Sequence, residues 1–307
     1  MRSTSTEWQV LIVPMWLAFN SYDMSQAVPM AAGGWAVCDE AAFTLLGREH
    51  WERCNVPRIQ ASDVSASEFF KHYMLPNKPV IISGPGAVAT TDLVRNHFEK
   101  SALLDHVGHK LLRFQLPKLE GSTLPPAETT LQKVVEQSLG SCVANRSRPY
   151  VFYSLGGSTQ KTKPWLLLED FAFYKYPLLL RALADQFYAW RAQWSGAHHF
   201  SLGGLGSGLG FHHHGDAWTE VIFGYKKWLL CEPGCNGSAL RAMHGLSVEE
   251  LAATLADLRG AGIQECLQGP DEVMFIPQTW YHGALNMGDV LARTFECAPR
   301  PTPQEEL

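Results

Sequence analysis

The chain has 307 residues, which is enough for one large domain with short flanking segments. Hydrophobic residues make up 46% of the sequence and charged residues 18%, with a net charge of −5. This composition supports a well-buried core. Because no Lys/Arg-rich run or basic stripe occurs, it argues against a nucleic-acid-binding surface. No internal apolar stretch is long enough to span a bilayer, so no transmembrane segment is predicted.

The start of the chain, residues 1–32, has the features of a leader. Arg2 precedes an apolar patch at residues 8–19, and small residues follow the patch. This order is typical of a secretory signal peptide, although Glu7 and Pro14 are unusual within one. A cleaved signal peptide is therefore expected, with a disordered leader as the alternative.

Two further features favour the secretory pathway. Asn145 and Asn236 each begin an Asn-x-Ser sequence, which is an acceptor for N-glycosylation. The chain ends in Gln-Glu-Glu-Leu at residues 304–307, a degenerate relative of the retrieval signal of the endoplasmic reticulum. We therefore expect a glycoprotein of the endoplasmic reticulum lumen, and a cytoplasmic protein is the alternative.

The seven cysteines are an odd number for a protein stabilised by disulfides. Cys38 and Cys54 are close enough in sequence to pair in an oxidising lumen, and Cys231 and Cys235 bracket a Pro-Gly turn across which they can pair. Buried or free thiols are the alternative for all of them. Cys231-x-x-x-Cys235 as half of a zinc site lacks a second half.

The part of the chain before residue 200 predicts helices and a few strands. Residues 62–73 are predicted to form a helix, with Ser65 as N-cap and with Phe69 and Phe70 in the core. The apolar run at 78–84 predicts a strand that ends at a Gly-Pro-Gly turn. Further helices are expected at 92–107 and 131–139, a strand at 149–154, and one or two amphipathic helices within 166–194.

From residue 200 onward, short β-rich runs alternate with Gly, Pro and Asn turns, and a helical stretch at 247–258 interrupts them. Helices followed by many short strands predict an α+β chain that ends in a β-barrel or jelly roll. The predicted strands are 211–214, 217–223, 227–231, 272–276, 281–285 and 290–297.

A run of three histidines is the first candidate for chemistry. Because side chains alternate along a strand, His212 and His214 share one face, whereas His213 points the other way. Imidazoles held in this way suit Fe, Zn, Cu or Ni. The alternative is a solvated patch of histidines at the tip of a loop.

A second segment supplies a third histidine. Residues 271–286 predict a strand, a Pro turn and a second strand, with His282 at the start of the second strand. A barrel that pairs these strands brings His282 opposite His212 and His214. The alternative is a core histidine that is hydrogen-bonded beside Trp280 and Tyr281.

Three motifs carry a resemblance to a known family: Gly-Tyr-Lys226-Lys-Trp228, Asp-Glu-Val-Met-Phe-Ile-Pro277, and Trp-Tyr-His282-x-x-x-Asn286. They resemble those of the JmjC oxygenases of the cupin superfamily, and the likeness is strongest to a branch from the endoplasmic reticulum lumen. The resemblance covers roughly residues 33–297. It implies a double-stranded β-helix (jelly-roll) core at 200–299, an N-terminal portion of helices and strands at 33–199, and a tail at 300–307.

The resemblance also implies a metal site for Fe(II). His212 matches the first ligand of the family and His282 the last, whereas His214 stands where the family normally has a carboxylate. A third imidazole removes one negative charge and approaches zinc-like chemistry. Asp216 and Glu220 are alternative carboxylate ligands, since simple alternation places them on the face of His212 and His214 unless the turn at residue 215 breaks that phase.

For the cosubstrate 2-oxoglutarate, Lys226 matches the lysine that pairs with its far carboxylate. A lysine that points into a barrel needs an anion, because a buried unpaired charge is costly. Thr219, Asn286 and Thr294 match positions that line the cosubstrate pocket of the family. The alternatives are a surface lysine, like its neighbour Lys227, and ordinary turn or strand residues for the other three.

The resemblance leads to three hypotheses. The first is an Fe(II)- and 2-oxoglutarate-dependent dioxygenase that hydroxylates a protein side chain in the secretory pathway. The second is a catalytically silent JmjC module that acts as a binding partner or scaffold, and the departure at His214 supports it. The third is a three-histidine metal cupin of another reaction class. Histone demethylation is not expected, because no reader domain, basic segment or nuclear signal is present.

Overall fold

Two large β-sheets and a small hairpin form the frame of the fold. The computed structural model describes residues 32–46, 53–88, 92–114, 127–143, 150–154, 178–186, 197–235 and 262–297. The strands are β1 (Arg58–Gln60), β2 (Val80–Ser83), β3 (Leu111–Phe114), β4 (Ala127–Thr130), β5 (Val151–Ser154), β6 (Ala197–Gly203), β7 (Gly208–His212), β8 (Ala217–Phe223), β9 (Lys226–Cys231), β10 (Gln264–Gln268), β11 (Val273–Ile276), β12 (Tyr281–Asn286) and β13 (Val290–Glu296).

Six α-helices and two short 3₁₀ turns accompany the strands in these residues. No helix within the described ranges is long and apolar enough to cross a membrane. The helices are α1 (Asp39–Leu46), α2 (Ala66–Phe69, continued by a π turn at Phe70–Met74), α3 (Asp92–His97), α4 (Lys100–Val107), α5 (Leu131–Ser138) and α6 (Leu178–Gln186); the 3₁₀ turns are Ala32–Gly34 and Ala61–Asp63.

The seven-stranded sheet has the order β1-β2-β11-β8-β13-β6-β5, and the four-stranded sheet has the order β10-β9-β12-β7. β1 pairs with β2 in parallel, and the other neighbouring strands are antiparallel. β3 and β4 form a separate hairpin sheet. Mixed sheets with several helices make this an α+β fold, which confirms that part of the prediction.

Helices cover one face of the seven-stranded sheet. Trp218 of β8 packs against Phe69 of α2, with ring centroids 5.1 Å apart, and against Phe275 of β11, with centroids 4.8 Å apart. Leu180 and Leu183 of α6 belong to the same buried cluster. A second apolar cluster joins α3, α4 and α5 to this sheet. The helices therefore bury the side chains on this outer face.

The inner face of the seven-stranded sheet packs against the four-stranded sheet. One buried cluster contains Ala217 and Met274 from the larger sheet together with Trp228, Leu230 and Ala284 from the smaller one. Since side chains alternate along each strand, residues an even number of positions from these also face the gap between the sheets. We call this gap the inter-sheet space, and the candidate site lies within it.

The helix expected at 62–73 begins later than predicted. Its first residue is Ala66, because Ser65 caps it: the Ser65 hydroxyl accepts a hydrogen bond from the Glu68 backbone, and the Glu68 carboxylate accepts one from the Ser65 backbone. Phe69 is fully buried and Phe70 is packed beside it. A reciprocal pair of this kind satisfies two N–H groups at the start of the helix.

The single helix expected at 92–107 is interrupted. α3 ends at His97, and the next two backbone N–H groups bond to carbonyls three residues earlier, Phe98 to Arg95 and Glu99 to Asn96. α4 then begins at Lys100. The indole of Trp35 donates a hydrogen bond to the Phe98 carbonyl at 3.0 Å. The backbone between the two helices therefore contacts the first described segment of the chain.

Several predictions fall on residues outside the described ranges. These are the leader, the acceptors Asn145 and Asn236, the helix at 247–258 and the C-terminal tetrapeptide. Within 166–194, the structure describes only α6. Of the other predicted strands, 217–223 coincides with β8, and the remainder differ from the observed strands by a few residues at their ends.

The disulfides correct one prediction from the sequence. Cys38 pairs with Cys142 and Cys54 pairs with Cys266, so the expected Cys38–Cys54 disulfide is wrong; Cys231 does pair with Cys235. Proximity in sequence was a poor guide because the fold brings distant segments together. The Asn55 backbone donates to the Glu265 carbonyl at 3.0 Å, which places the segment before β1 against β10.

His198 in β6 is expected to make stability depend on pH. Burial, assisted by the nearby charges of His199 and Arg293, lowers the pKa of His198 to about 4 from its ordinary value of 6.5. The folded state thus disfavours the charged ring. As pH falls from 6.5 towards 4, the unfolded chain binds a proton that the folded chain does not, and stability is lost.

The measurement is urea unfolding of the native chain and of His198→Leu at pH 7 and pH 4.5. Because the ring is partly exposed, we expect the native chain to lose about 1–2 kcal/mol more than the variant on acidification. Other titrating groups are shared, so the difference between the two proteins isolates His198. An equal loss in native and variant would show that this ring is not the cause.

Candidate metal centre

Three histidines come together at one end of the inter-sheet space. His212 is the last residue of β7 and pairs in register with His282 of β12, while His214 follows two residues later in the connection to β8. The nitrogen ligand atoms of the three rings all lie within 4.8 Å of one another. Strand pairing therefore assembles a cluster that the sequence could place only by hypothesis.

Backbone carbonyls fix which ring nitrogen is available for a metal. In each ring Nδ1 lies near a carbonyl oxygen: 2.7 Å from Gly210 for His212, 2.8 Å from Gly215 for His214, and 3.0 Å from Trp280 for His282. A carbonyl can only accept, so Nδ1 carries the hydrogen and Nε2 keeps its lone pair. This is the usual way in which a protein orients metal-binding histidines.

The surroundings disfavour the charged form of two of these imidazoles, those of His212 and His282. Desolvation lowers the pKa of His212 and lowers the pKa of His282 well below its ordinary value, and the neighbouring histidines add to both effects. A neutral imidazole is the form that binds a metal ion. Trp228 lies close to His282, with ring centroids 6.1 Å apart, and helps to bury it.

The middle histidine of the run is placed differently. His213 is exposed, and its ring packs edge-on against Tyr281 with centroids 4.6 Å apart. It is not part of the cluster formed by the other three rings. This placement agrees with the expectation that His213 points away from His212 and His214.

The structure does not bring the two alternative carboxylates into the cluster. Asp216 is buried and accepts a hydrogen bond from the Gln278 backbone at 2.8 Å, which stabilises the turn before β12. Glu220 accepts two hydrogen bonds from Arg293, at 2.8 and 2.5 Å, and both residues are buried. Glu220 shares the outer face with Trp218, so the turn at Gly215 does break the alternation.

Lys226 is buried at the start of β9, only 2% exposed. Its ammonium lies 3.1 Å from Oδ1 of Asn286 and 3.3 Å from the Tyr150 hydroxyl, and within 5.9 Å of the Tyr150 and Trp228 ring centroids. All of these partners are neutral. The expected alternative of a surface lysine is therefore wrong, and the charge is of the kind that a bound anion would balance.

Its neighbour Lys227 is also buried, contrary to expectation, but it has an anionic partner. Its ammonium lies 3.1 Å from the Glu265 carboxylate and donates to the Arg53 carbonyl at 3.0 Å. The two consecutive lysines lie on opposite faces of β9, and their ammonium groups therefore have different partners. Lys227 is satisfied within the protein, whereas Lys226 faces the inter-sheet space with neutral hydrogen-bond partners.

The other expected cosubstrate residues lie on the inner faces. The hydroxyls of Thr219 and Thr294 are 2.9 Å apart across β8 and β13. The Asn286 amide accepts from Lys226 and donates to the Ser207 hydroxyl at 3.0 Å, which orients it. A Cβ at Gly203 would lie 2.8 Å from the Asn286 amide nitrogen, so only glycine leaves room there.

Sequence reasoning missed three residues of this site. Tyr150 immediately precedes β5, a strand of the opposite sheet, and contacts Lys226 from there, and no local motif marks it. Glu296 accepts a hydrogen bond from Nε2 of His199 at 3.2 Å, and this bond holds the pKa of Glu296 below its ordinary range. Glu296 is two residues from Thr294, so strand alternation could have found it once Thr294 was placed inside.

These residues fit a divalent transition metal and a small anion. Three imidazole nitrogens with oriented lone pairs suit Fe, Zn, Cu or Ni. The buried ammonium of Lys226, with the hydroxyls and amide around it, suits a carboxylate. The arrangement can therefore hold an ion and an acidic small molecule between the same two sheets.

No protein-family model matches the chain. JmjC domain-containing protein 8 of Mus musculus is 29% identical over 243 residues, covering 77% of this chain and 79% of the relative. The bifunctional arginine demethylase and lysyl-hydroxylase psr-1 of Caenorhabditis briggsae is 26% identical, covering 78% and 60%. The 2-oxoglutarate and iron-dependent oxygenase JMJD4 of Danio rerio is 22% identical, covering 79% and 61%. The resemblance to JmjC proteins predicted from the motifs is confirmed.

Proposed function

We propose, from the premise that this chain is a relative of the JmjC-domain proteins, that it is an Fe(II)- and 2-oxoglutarate-dependent oxygenase. The observation that carries the proposal is a three-histidine cluster and a buried lysine with neutral partners in one inter-sheet space. An oxygenase of this kind must hold a metal and a dicarboxylate side by side. The name of the Danio rerio relative includes 2-oxoglutarate and iron, which supports this assignment.

The finer fold assignment is a double-stranded β-helix, or jelly roll. Two antiparallel or mixed sheets that face each other around a site support it. In such a fold the inward-facing residues of both sheets line a ligand space. β5, which lies before residue 200, and β6, which begins at Ala197, belong to the larger of these sheets together with later strands.

Each inward-facing residue then has a part in holding the ligands. His212, His214 and His282 would hold Fe(II), and Lys226 would pair with the far carboxylate of 2-oxoglutarate. Thr219, Asn286 and Thr294 would line the cosubstrate, and the Tyr150 hydroxyl would orient the lysine. Bound iron and 2-oxoglutarate together supply oxygen activation in this class of enzyme. The protein orients the reactants and excludes water.

A protein side chain is the proposed substrate. The Caenorhabditis briggsae relative is named as an arginine demethylase and lysyl-hydroxylase, which is chemistry on the side chains of proteins. The few charged residues and the net charge of −5 do not favour a nucleic-acid substrate. Hydroxylation of a side chain is therefore the reaction type that we propose.

One observation favours the silent-scaffold alternative. His214 stands where a carboxylate ligand is expected, and neither Asp216 nor Glu220 replaces it in the cluster. Succinate formation that depends on 2-oxoglutarate separates an oxygenase from a scaffold or a cupin of another class. Metal content after purification separates the last two from each other, because only the metal cupin retains an ion.

We propose that the protein resides in the lumen of the endoplasmic reticulum. Three disulfides among the described residues support this, because disulfides form and persist in oxidising compartments. Two of them connect segments that are 104 and 212 residues apart in the chain. Such long-range cross-links stabilise a fold by restricting the unfolded chain.

The proposed function is tested by anaerobic titration with Fe(II) and 2-oxoglutarate, followed by the metal-to-ligand charge-transfer band. We expect the band in the native chain and its loss in Lys226→Met, which removes the charge but keeps most of the side-chain volume. Fe(II) affinity without 2-oxoglutarate should remain close to native, since Lys226 is not a metal ligand.

Lys71→Met is the matched control, because it makes the same change at an exposed lysine. It should retain the band and the native affinity for 2-oxoglutarate. A native chain without the band would overturn the proposal and favour the scaffold. An equal band in native and Lys226→Met would show that Lys226 has been misassigned.

A further inference from the structure

The carboxylate of Glu296 lies beside the three-histidine cluster. Its Oε1 is 3.8 Å from Nδ1 of His214. Glu296 is the last residue of β13, two positions after Thr294, whose hydroxyl faces the inter-sheet space. The carboxylate therefore approaches from the seven-stranded sheet, whereas His212 and His282 belong to the four-stranded sheet.

His199 holds this carboxylate in place. The carboxylate can only accept, so Nε2 of His199 donates the hydrogen bond of 3.2 Å to Oε2 of Glu296. The His199 ring is buried and stacks on Phe152, with ring centroids 4.6 Å apart and planes 21° apart. A carboxylate held by a stacked, buried ring has little freedom to turn away from His214.

The position of the carboxylate relative to His214 determines what it can do. Nδ1 of His214 carries a hydrogen, which the Gly215 carbonyl accepts at 2.8 Å, so Nε2 is the nitrogen available to an ion. Glu296 lies on the Nδ1 side of the ring. It is also outside the group of ligand atoms that lie within 4.8 Å of one another. It thus acts on the ring rather than directly on the ion.

The ligands of the proposed metal centre bring no negative charge to the ion, and this carboxylate supplies a negative charge nearby. Three neutral imidazoles contribute no negative charge to a divalent ion, and the two carboxylates next in sequence are engaged elsewhere. A carboxylate next to a ligand histidine raises the basicity of that ligand and fixes its orientation. Partial burial strengthens the attraction between the carboxylate and the ion, because screening by water is reduced.

We propose that Glu296, anchored by His199, is the outer carboxylate of this metal centre. It supplies, through His214, negative charge that a carboxylate ligand at position 214 would otherwise bring. Glu296 is a positioning residue in this scheme, and His199 positions Glu296. The inference rests on the proposed metal site but concerns a separate property, namely which residue balances the positive charge of the ion.

The test compares metal affinities of the native chain, Glu296→Gln and Glu136→Gln under anaerobic conditions. Glu296→Gln removes the charge and preserves the shape, and Glu136→Gln makes the same change at an exposed residue of α5. We expect Glu296→Gln to bind Fe(II) and Zn(II) roughly 10–100-fold more weakly, as for loss of an outer partner of a ligand. Glu136→Gln should bind as the native chain does.

Two additional measurements separate positioning from a structural role. Bound Co(II) should show a shifted visible absorption band in Glu296→Gln, while the metal-free variant should still unfold cooperatively and have the circular dichroism of the native chain. Glu296→Asp, which retains the charge, should recover part of the affinity. His199→Phe preserves stacking on Phe152 but cannot anchor the carboxylate, so it should weaken binding less than Glu296→Gln.

The outcomes distinguish this inference from the proposed function. If the native chain binds no metal, or if His282→Ala binds as well as native, the metal site itself is overturned. If the native chain binds and Glu296→Gln has the same affinity and Co(II) spectrum, only the inference fails. Complete loss of metal in Glu296→Gln, as severe as in His282→Ala, would make Glu296 a ligand and overturn its outer position.

Discussion

Replacing His282 with alanine is expected to abolish binding of Fe(II) and Zn(II). His282 is the most buried ring of the cluster, and its removal leaves two imidazoles, which rarely hold an exchangeable divalent ion in proteins. The loss should exceed the roughly 10–100-fold effect that follows removal of an outer partner. Isothermal titration of the metal-free chain under anaerobic conditions measures it.

Folding is the first control for this prediction. His282 is 4% exposed, so truncation to alanine also leaves a small cavity and destabilises the chain. His212→Ala changes a ring that is only partly buried and should lose metal to the same extent with a smaller effect on unfolding. Loss of metal in both variants, with circular dichroism like that of the native chain, would attribute the effect to the ligands.

His213→Ala is the second control, since it removes an adjacent imidazole that packs against Tyr281 instead of joining the cluster. Its metal affinity should stay within about twofold of native, well below the tenfold that corresponds to 1.4 kcal/mol. Equal losses in the His212, His213 and His282 variants would contradict the geometry, because they would show that any histidine of this region contributes to weak, nonspecific binding.

Apolar strands bounded by turn residues could be predicted from the sequence, and others could not. The segment 217–223 was predicted with the bounds of β8, because its apolar run is flanked by turn residues. β6 was missed, since two consecutive histidines obscure its pattern, although it lies inside the seven-stranded sheet with neighbours on both sides. Period-two patterns are weak where both faces of a strand are buried.

β10 was missed for a different reason. Its residues Gln264, Glu265 and Gln268 look like a polar loop, yet Glu265 and Gln268 are buried. Glu265 pairs with Lys227, and the Gln268 amide contacts the Trp228 indole at 2.7 Å. Buried polar residues of this kind form hydrogen bonds or ion pairs with residues of other strands, and a sequence pattern does not reveal which residues those are.

The candidate site shows the same division between local and distant information. The spacing of His212 and His214 predicted locally that these two rings share a face, whereas the approach of His282 depended on a pairing of distant strands that could only be hypothesised. The face of β8 on which Glu220 lies was not predictable, because the turn at Gly215 breaks the alternation of side chains. Tyr150 and the Cys54–Cys266 disulfide depend on contacts across the sheets and between distant segments.

His214→Asp is expected to convert the cluster into two histidines and one carboxylate, and to shift its preference from Zn(II) towards Fe(II). A carboxylate ligand returns the negative charge that the third imidazole lacks, and the resulting donor set is typical of iron oxygenases. We expect the ratio of Fe(II) to Zn(II) affinity to rise at least about tenfold, equal to ~1.4 kcal/mol. Decarboxylation of 2-oxoglutarate without substrate should rise as well.

Asp216→Ala separates this interpretation from the alternative in which Asp216 is the carboxylate ligand. Because Asp216 accepts the Gln278 backbone hydrogen bond, its replacement should lower the free energy of unfolding by about 1–3 kcal/mol and leave metal affinity unchanged. If Asp216 is a ligand, Asp216→Ala should instead lose metal, and His214→Asp should be neutral or harmful.

The double variant His214→Asp/Glu296→Gln gives the sharpest form of this last prediction. In the native chain Glu296 lies 3.8 Å from Nδ1 of His214 and offsets the charge of the ion, so removing its charge weakens binding. With aspartate at position 214, the two carboxylates repel each other and the ion already has its counter-charge. Glu296→Gln should then be neutral or favourable to Fe(II) binding. A double-mutant cycle of affinities should therefore show strong coupling between positions 214 and 296, and additive losses would argue against a shared electrostatic role.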